Sequence, residues 1–492
     1  MNKVSYILIF ILIAFSLAKA QNNDRSNIQM LTLYQVIDLV REQSQSALQA
    51  KTRRENRYWQ YRTYLSDYKP QLRLEGAFPE YTRRFTPITQ EDGTIEFQLV
   101  NNNNSNLNLS LFQSVGTLGT RLYANTELQR FDDLERDFTR YSGTPVSVGF
   151  YQPLFSFNEL AWNRKIEPLR YEESQKEYYE DLEQMSVTAV RLFFNLLLAQ
   201  IDMEIALNNR ANNDTIFKIA QGRYNLGKIA ENELLQLELN LMNSRQAVAQ
   251  AELDLATFAY RLKSYIGIPG TQRIELILPG EIPQFDVPVD KALQQALKNR
   301  PAAVEFKRSM LEAERDVAQA RGNTGLNAAM VGEIGLTSRG NSFDQLYEEP
   351  QDHQRVQVEF DIPVLDWGRT KSRRMTAEAN KQLVEYTIAQ DKVNFEEEIF
   401  TQVRLFEMLR NQLEITSVAS DIGQKSYDIS KNRFLIGKIS ITDLNDALEK
   451  KDNARRSYIQ SLREFWESYY ELRSLTLYDF EKDRILLLES QN

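Results

Sequence analysis

Hydrophobic residues of this chain follow two different spacings. Apolar and polar residues alternate in the segments 106–112, 146–150 and 356–362, as they do in strands with one apolar and one polar face. Two other stretches instead carry apolar or small residues every seven positions, which is typical of coiled-coil helices. In the first stretch one row is Leu234, Leu241, Val248, Leu255 and Leu262, and its companion row is Leu237, Ser244, Ala251, Phe258 and Tyr265. In the second, the rows are Leu444, Lys451, Tyr458, Phe465 and Leu472, and Ala447, Ala454, Ser461, Ser468 and Leu475.

The two halves of the chain repeat one plan. With a shift of 210 positions, the segment 223–229 falls on 433–439. With a shift of 256, the apolar positions of 33–40 fall on those of 289–296. The two shifts differ by 46, so the first half contains an insertion of 46 residues within 76–148. Such a repeat predicts an architecture with approximate internal symmetry.

Each half is predicted to contain a helix, two strands, a very long helix, a turn and a returning helix. The first helix is predicted at about 33–67, and its counterpart is predicted to begin near Val289 and to break near Pro301. Pro153 and Pro363 are expected to end strands and start the long helices. About seventy residues of helix would be about 100 Å long, too long for a single globular core.

These elements predict five segments along the chain. Long loops are expected between the paired strands, at 80–104 and at about 338–354. The first twenty residues combine a positive start, an apolar run and the small-residue cleavage site Ala18–Ala20, as secretory signals do. The segments are a signal peptide at 1–20, a first repeat at 21–268, a connector at 269–288, a second repeat at 289–480 and a tail at 481–492.

Composition argues against several kinds of site. The chain has no cysteine and one histidine, His353, so ordinary zinc, haem and iron–sulfur sites lack ligands, and we expect no metal and no cofactor. A formal charge of −9 disfavours nucleic-acid binding. No convergent set of catalytic side chains is evident, so we expect no enzyme. After the signal, the sequence contains no apolar run of membrane-spanning helical length, so the exported product is either soluble or enters a membrane as a barrel.

The sequence resembles the TolC family of outer-membrane efflux channels in four features. These are the duplicated plan, the export signal, the strand-ending prolines and the paired segments Arg223–Ile229 and Arg433–Ile439. The resemblance covers nearly all of the chain after the signal. It implies a mainly α fold with a small β part, in which the duplicated halves assemble as a homotrimer. Four strands from each subunit would form a 12-stranded β-barrel in the outer membrane, continued by a periplasmic α-helical coiled-coil barrel.

The resemblance also implies two sets of functional residues. Asp443 and Asp446, three apart on one helical face, match the aspartates that ring the closed entrance of the pore, although Ser440 and Asp443 also fit a helix-capping box. Phe434 and Ile439 depart from the gate tyrosine and gate arginine of the family. The helix tips would dock a periplasmic adaptor (membrane fusion) protein through Arg223, Gly227, Lys228, Arg433, Gly437 and Lys438.

The function predicted from these features is passive export. The protein would be the outer-membrane channel of a tripartite efflux or type I secretion system, coupled through its adaptor to an inner-membrane pump. It would lie in the outer membrane of a Gram-negative type envelope, with a long periplasmic extension. The alternative is a soluble periplasmic coiled-coil adaptor or scaffold, which would explain the signal and the heptads but not the duplicated two-faced strands. The sequence leaves the exported cargo open.

Overall fold

The computed structural model describes residues 28–269, 273–280, 282–323 and 325–488. The predicted signal peptide and the last four residues of the predicted tail lie outside these ranges. In chain order the elements are β1 (Ile28–Leu31), α1 (Leu33–Gln43), α2 (Gln45–Ser66), β2 (Gln71–Ala77), β3 (Tyr81–Thr89), β4 (Ile95–Val115), β5 (Thr120–Asp133), β6 (Phe138–Pro153), α3 (Glu159–Asn225), α4 (Glu231–Ile266), β7 (Arg273–Leu276), α5 (Val289–Asn299), α6 (Pro301–Gly322), β8 (Asn327–Gly340), α7 (Gln345–Glu348), β9 (Gln351–Asp361), α8 (Arg369–Leu435), α9 (Ile441–Thr476), β10 (Tyr478–Asp479) and β11 (Arg484–Ile485).

The helix boundaries confirm the predicted duplication and the mainly α fold. A shift of 256 residues places α1 and α2 on α5 and α6, and a shift of 210 places α3 and α4 on α8 and α9. The paired helices have equal lengths of 11, 22, 67 and 36 residues. Each 67-residue helix is about 100 Å long at the α-helical rise.

Three predicted helix boundaries were wrong. The first helix was predicted as one element, but it breaks at Ser44, whose hydroxyl accepts a hydrogen bond from the backbone N–H of Ala47 (3.1 Å) and starts α2. The corresponding break before Pro301 was predicted. The long helices begin at Glu159 and Arg369, so the preceding prolines mark strand ends rather than helix starts.

The chain folds into two compact units, and each takes segments from both sequence halves. Among the described residues, the first unit takes those of 28–54, 175–303 and 393–488, and the second takes those of 55–174 and 304–392. In the first unit, Trp466, Phe193 and Phe406 are fully buried. None of the helices in the described part of the chain is both long and apolar enough to cross a membrane.

A two-stranded parallel sheet in the first unit was not predicted. In this sheet β1 pairs with β7, which lies inside the segment predicted as a connector. Phe285, in the same segment, stacks on Phe406, with 5.4 Å between the ring centroids. The connector is therefore packed against the core of the unit.

An antiparallel sheet dominates the second unit, in the order β2–β4–β5–β6–β8–β9. Strands β2 and β3 both pair with β4, one after the other along its length, so they share one strand position. The sheet therefore has six positions. The second half contributes the two strands that were predicted, but the first half contributes five. The predicted loop at 80–104 is wrong, because most of it forms β3 and the start of β4. The loop predicted at about 338–354 is present between β8 and β9, but it is shorter (341–350) and contains α7.

One face of this sheet is apolar and exposed, as the alternating pattern predicted. Residues directly opposite each other in neighbouring antiparallel strands lie on the same face. One such row joins Leu72, Leu111, Ala124, Val148 and Ile334 across β2, β4, β5, β6 and β8. Leu72 and Ile334 are each 67% exposed, so no layer formed by the described residues covers this face.

Candidate functional site at the helix tips

The turn between α3 and α4 reverses the chain at Gly227. Its backbone is left-handed (φ 70°), a conformation that glycine adopts without steric cost. The N–H of Gly227 donates to the carbonyl of Tyr224 (2.8 Å), and that of Lys228 donates to the carbonyl of Arg223 (2.9 Å). This pair of bonds is a Schellman motif, which satisfies carbonyl groups at the end of the helix.

The turn between α8 and α9 has the same geometry. Gly437 is left-handed (φ 73°), its N–H donates to Phe434 (2.9 Å), and the N–H of Lys438 donates to Arg433 (2.9 Å). Lys438 and Arg433 are exposed, as is Lys228 at the other tip, whereas Arg223 is half-buried. The two sequence segments that were matched across the halves therefore form equivalent turns with cationic side chains.

The helices that leave the two tips start differently. The Ser440 hydroxyl accepts a hydrogen bond from the N–H of Asp443 (3.2 Å), and the Asp443 carboxylate accepts one from the N–H of Ser440 (3.0 Å). This confirms the predicted capping box. Ala230 occupies the equivalent position before α4 and makes no side-chain cap. The two tips are therefore not interchangeable.

The two candidate gate aspartates are exposed within one turn of α9. Asp443 accepts hydrogen bonds from the hydroxyl and the backbone N–H of Ser440. These bonds, the hydroxyl's having the larger effect, hold the pKa of Asp443 below its usual value, so this carboxylate is charged at neutral pH. The carboxylate of Asp446 forms an ion pair with Lys450 (2.7 Å), which raises the pKa of that lysine. Both carboxylates are accessible to ions from the solvent side of the helix.

Beneath the second tip lies a small apolar cluster. Leu444 is 2% exposed, Tyr427 is almost fully buried, and Phe434 and Ile439 pack against them. Phe434 and Ile439, the residues that depart from the family's gate pattern, therefore pack against the buried side of the tip. The start of α9 is held by apolar packing as well as by its cap.

Within the described ranges, no three His, Cys, Asp or Glu side chains come close enough together to hold a metal ion.

Comparison with known proteins identifies the family. A family model described as outer membrane efflux protein matches residues 95–268 and 292–476, most of the chain. The chain belongs to the outer membrane efflux protein family. Members of this family are channels rather than enzymes. A comparison with curated proteins found no match.

Several solved structures share the fold of this efflux protein. The Campylobacter jejuni CmeC outer membrane channel is 17% identical, has a TM-score of 0.66, and the alignment covers 90% of this chain and 85% of that one. A membrane protein from Pseudomonas aeruginosa is 13% identical, with a TM-score of 0.65 and 94% of both chains covered. The outer membrane protein VceC from Vibrio cholerae is 14% identical, with a TM-score of 0.58 and coverage of 90% and 96%. These likenesses establish the fold over nearly the whole chain.

A polar network inside the efflux protein lies near the second tip and was not predicted. The amide of Asn209 donates to the carboxylate of Asp452 (2.8 Å), which is 5% exposed, and the ammonium of Lys451 lies 3.0 Å from the other oxygen of that carboxylate. The ammonium of Lys451 also lies 4.6 Å from the ring centroid of Tyr427. The pKa of Tyr427 is raised, mainly by burial and secondly by the negative charge of Asp452. Lys451 in an otherwise apolar heptad row was the sequence signal for this network.

Helix α8 of the efflux protein also carries a heptad row that faces outward. Its members are exposed apolar side chains seven residues apart. A helix that presents such a seam to solvent normally packs it against a partner. On the helix the row comprises Met408, Ile415, Ile422 and Ile429, and Ile436, the first residue after α8, continues it.

Proposed function

We propose that this protein is the outer-membrane channel of a tripartite efflux or type I secretion system. It conducts solutes passively from a periplasmic adaptor and pump to the outside. The observation that carries the proposal is the exposed apolar face of the sheet, in a chain of the outer membrane efflux protein family. Exposed apolar strands are stable where lipid covers them, because lipid removes apolar surface from water. A soluble periplasmic scaffold would leave the same face in water, so the sheet disfavours that alternative.

The proposed assembly is a homotrimer, because two features of one subunit are incomplete. Within the described residues, the sheet has unpaired edges at β9 and at the position shared by β2 and β3, and a membrane-embedded sheet needs every edge paired. The outward row on α8 needs apolar partners. Copies of the same chain can supply both, as a closed wall of strands and as a tube of coiled-coil helices extending into the periplasm.

In this assembly, Asp443 and Asp446 form the gate. Three copies of each aspartate place six carboxylates around one axis at the periplasmic entrance. Neighbouring carboxylates in such a ring repel one another and attract cations. The proposed entrance is therefore selective for cations.

The gate predicts a change in ion selectivity. Replacing both aspartates, Asp443→Asn with Asp446→Asn, removes six negative charges per trimer while leaving an oxygen acceptor for the Ser440 cap. We expect the reversal potential in asymmetric KCl to fall most of the way towards zero in planar-bilayer recordings. The matched control is Glu231→Gln with Glu233→Gln, which removes equal charge from the first turn of α4 at the other tip. Equal selectivity in the gate variant and the wild type would show that these residues are not the gate.

The tips are the proposed docking surface for the adaptor. Arg223, Lys228, Arg433 and Lys438 supply positive charge there, and Gly227 and Gly437 shape the turns. With a photo-crosslinking amino acid in place of Lys438, we expect a covalent adduct with a periplasmic adaptor in intact cells, identified by mass spectrometry. The control site is Arg136, in the turn between β5 and β6. Adducts of the same identity and yield from both sites would contradict docking at the tips.

A further inference from the structure

The sheet contains a hairpin that has no counterpart in the second half. By the repeat shifts, β2 corresponds to β8, and β6 corresponds to β9. In the second half β8 and β9 pair directly with each other. In the first half β2 and β6 do not pair, because β4 and β5 lie between them. The 46 additional residues of the first half therefore appear as two further strand positions.

The inserted hairpin spans the sheet from one end to the other. Its turn at 116–119 lies beside the chain that leaves β6 towards α3: the amide of Asn158 donates to the carbonyl of Gly116 (3.1 Å), and that of Gln152 donates to Leu118 (3.2 Å). From this end β4 and β5 pair over fourteen positions, from Val115 opposite Thr120 to Asn102 opposite Asp133. Fourteen residues exceed the roughly 9–11 that a tilted strand needs to cross a membrane.

The apolar face continues across the inserted hairpin. Leu109 of β4 lies opposite Leu74 of β2, and Leu122 of β5 lies opposite Phe150 of β6. Leu109 and Leu122 are exposed, like the apolar residues of the repeated strands. The inserted strands therefore present the same kind of surface to lipid as their neighbours.

The polar face is also shared. The hydroxyl of Tyr123 on β5 lies 3.2 Å from the carboxylate of Glu333 on β8, reaching across β6 at Gly149. A Cβ at Gly149 would lie 2.5 Å from that hydroxyl, so glycine is what leaves room for the contact. Tyr123 of the inserted hairpin therefore contacts the polar face of a strand from the second sequence half.

We propose that this insertion widens the membrane wall: each subunit contributes six strand positions, and the trimer closes a wall of eighteen rather than twelve. The inference rests on the proposed trimeric channel. Six antiparallel positions leave the edge strands β2 and β9 running in opposite directions, so β9 of one subunit can pair antiparallel with β2 of the next. At a strand spacing of about 4.8 Å and a tilt of about 40°, eighteen strands close at a backbone diameter of about 36 Å, against about 24 Å for twelve.

Two measurements on the purified full-length protein in lipid nanodiscs test the wider wall. Electron cryomicroscopy of the wild type should show eighteen strands in cross-section. Because the chain has no cysteine, single substitutions can carry a fluorescent label without background. We expect the label at Leu109→Cys to be quenched by brominated lipid as strongly as the label at Ile334→Cys on β8. The matched control is Ser110→Cys on the opposite face, where aqueous iodide should quench instead.

The outcomes separate the two proposals. A trimer with twelve strands, or a Leu109→Cys label quenched by iodide as strongly as the Ser110→Cys label, would overturn the wider wall and leave the trimeric channel standing. A monomer would overturn both.

Discussion

Replacing Ile422 with lysine is expected to dissociate the proposed trimer. Ile422 is the central member of the outward row on α8 and is 62% exposed in one subunit. Burying such a side chain is worth roughly 1.5–3 kcal/mol, and the symmetric assembly loses three copies at once, or roughly 5–9 kcal/mol per trimer. An unpaired ammonium group in the same seam adds a desolvation cost. Because a tenfold change corresponds to about 1.4 kcal/mol, the association constant should fall by roughly four to six orders of magnitude.

The measurement is the molecular mass of the purified protein in detergent, by light scattering over a series of protein concentrations. Asp421→Lys is the matched control, because it places the same side chain one position earlier, on a polar and exposed part of the helix. We expect the control to remain trimeric at concentrations where Ile422→Lys is monomeric. Equal trimer fractions for both variants would mean that the outward row does not form the subunit interface.

Replacing Arg473 with methionine is expected to lower the free energy of unfolding of the chain by about 3–5 kcal/mol. Its guanidinium bonds the carboxylates of Glu183 (3.0 Å) and Asp479 (3.0 Å), and all three side chains are less than a tenth exposed. Burial opposes the charge of Arg473, but the carboxylate of Glu183 more than compensates and holds its pKa above the ordinary value. Methionine fills similar space and leaves the buried carboxylate of Asp479 without its cation, which is the costly way to break a buried ion pair.

The thermal midpoint measured by circular dichroism, at one protein concentration and one heating rate, reports this loss. Arg455→Met is the matched control on the same helix, since the Arg455–Glu204 pair is exposed on both sides and such pairs contribute about 0–1 kcal/mol. We expect a clear drop for Arg473→Met and little change for the control. Similar midpoints for the two variants would contradict the structural role of the buried cluster.

Helical architecture was the part of the fold that the sequence predicted best. Seven-residue spacing and the paired glycines at 227 and 437 report local geometry, because a heptad row needs a long helix and a Schellman turn needs a left-handed residue. The capping box at Ser440 was likewise predicted from four consecutive residues. For these features the physical cause lies within a few positions along the chain.

The inserted strands could not be recognised in the same way. Asn101–Asn104 lie inside β4, yet they are polar on both faces of the sheet, so no alternation marks them as a strand. The break at Ser44 has neither proline nor glycine and depends on one hydroxyl cap. The contact of Asn209 with Asp452 joins residues 243 positions apart, which no local pattern encodes. The gate and docking residues remain predictions, because their roles depend on other copies of the chain and on the adaptor.

Single-channel recording on protein purified from the outer-membrane fraction tests the central claim most directly. The mass of the same sample is measured before it is added to a planar lipid bilayer. A trimeric sample that produces uniform current steps with cation selectivity is the predicted result. A monomeric sample that carries no current across the bilayer would contradict the proposal that three chains enclose a water-filled export channel.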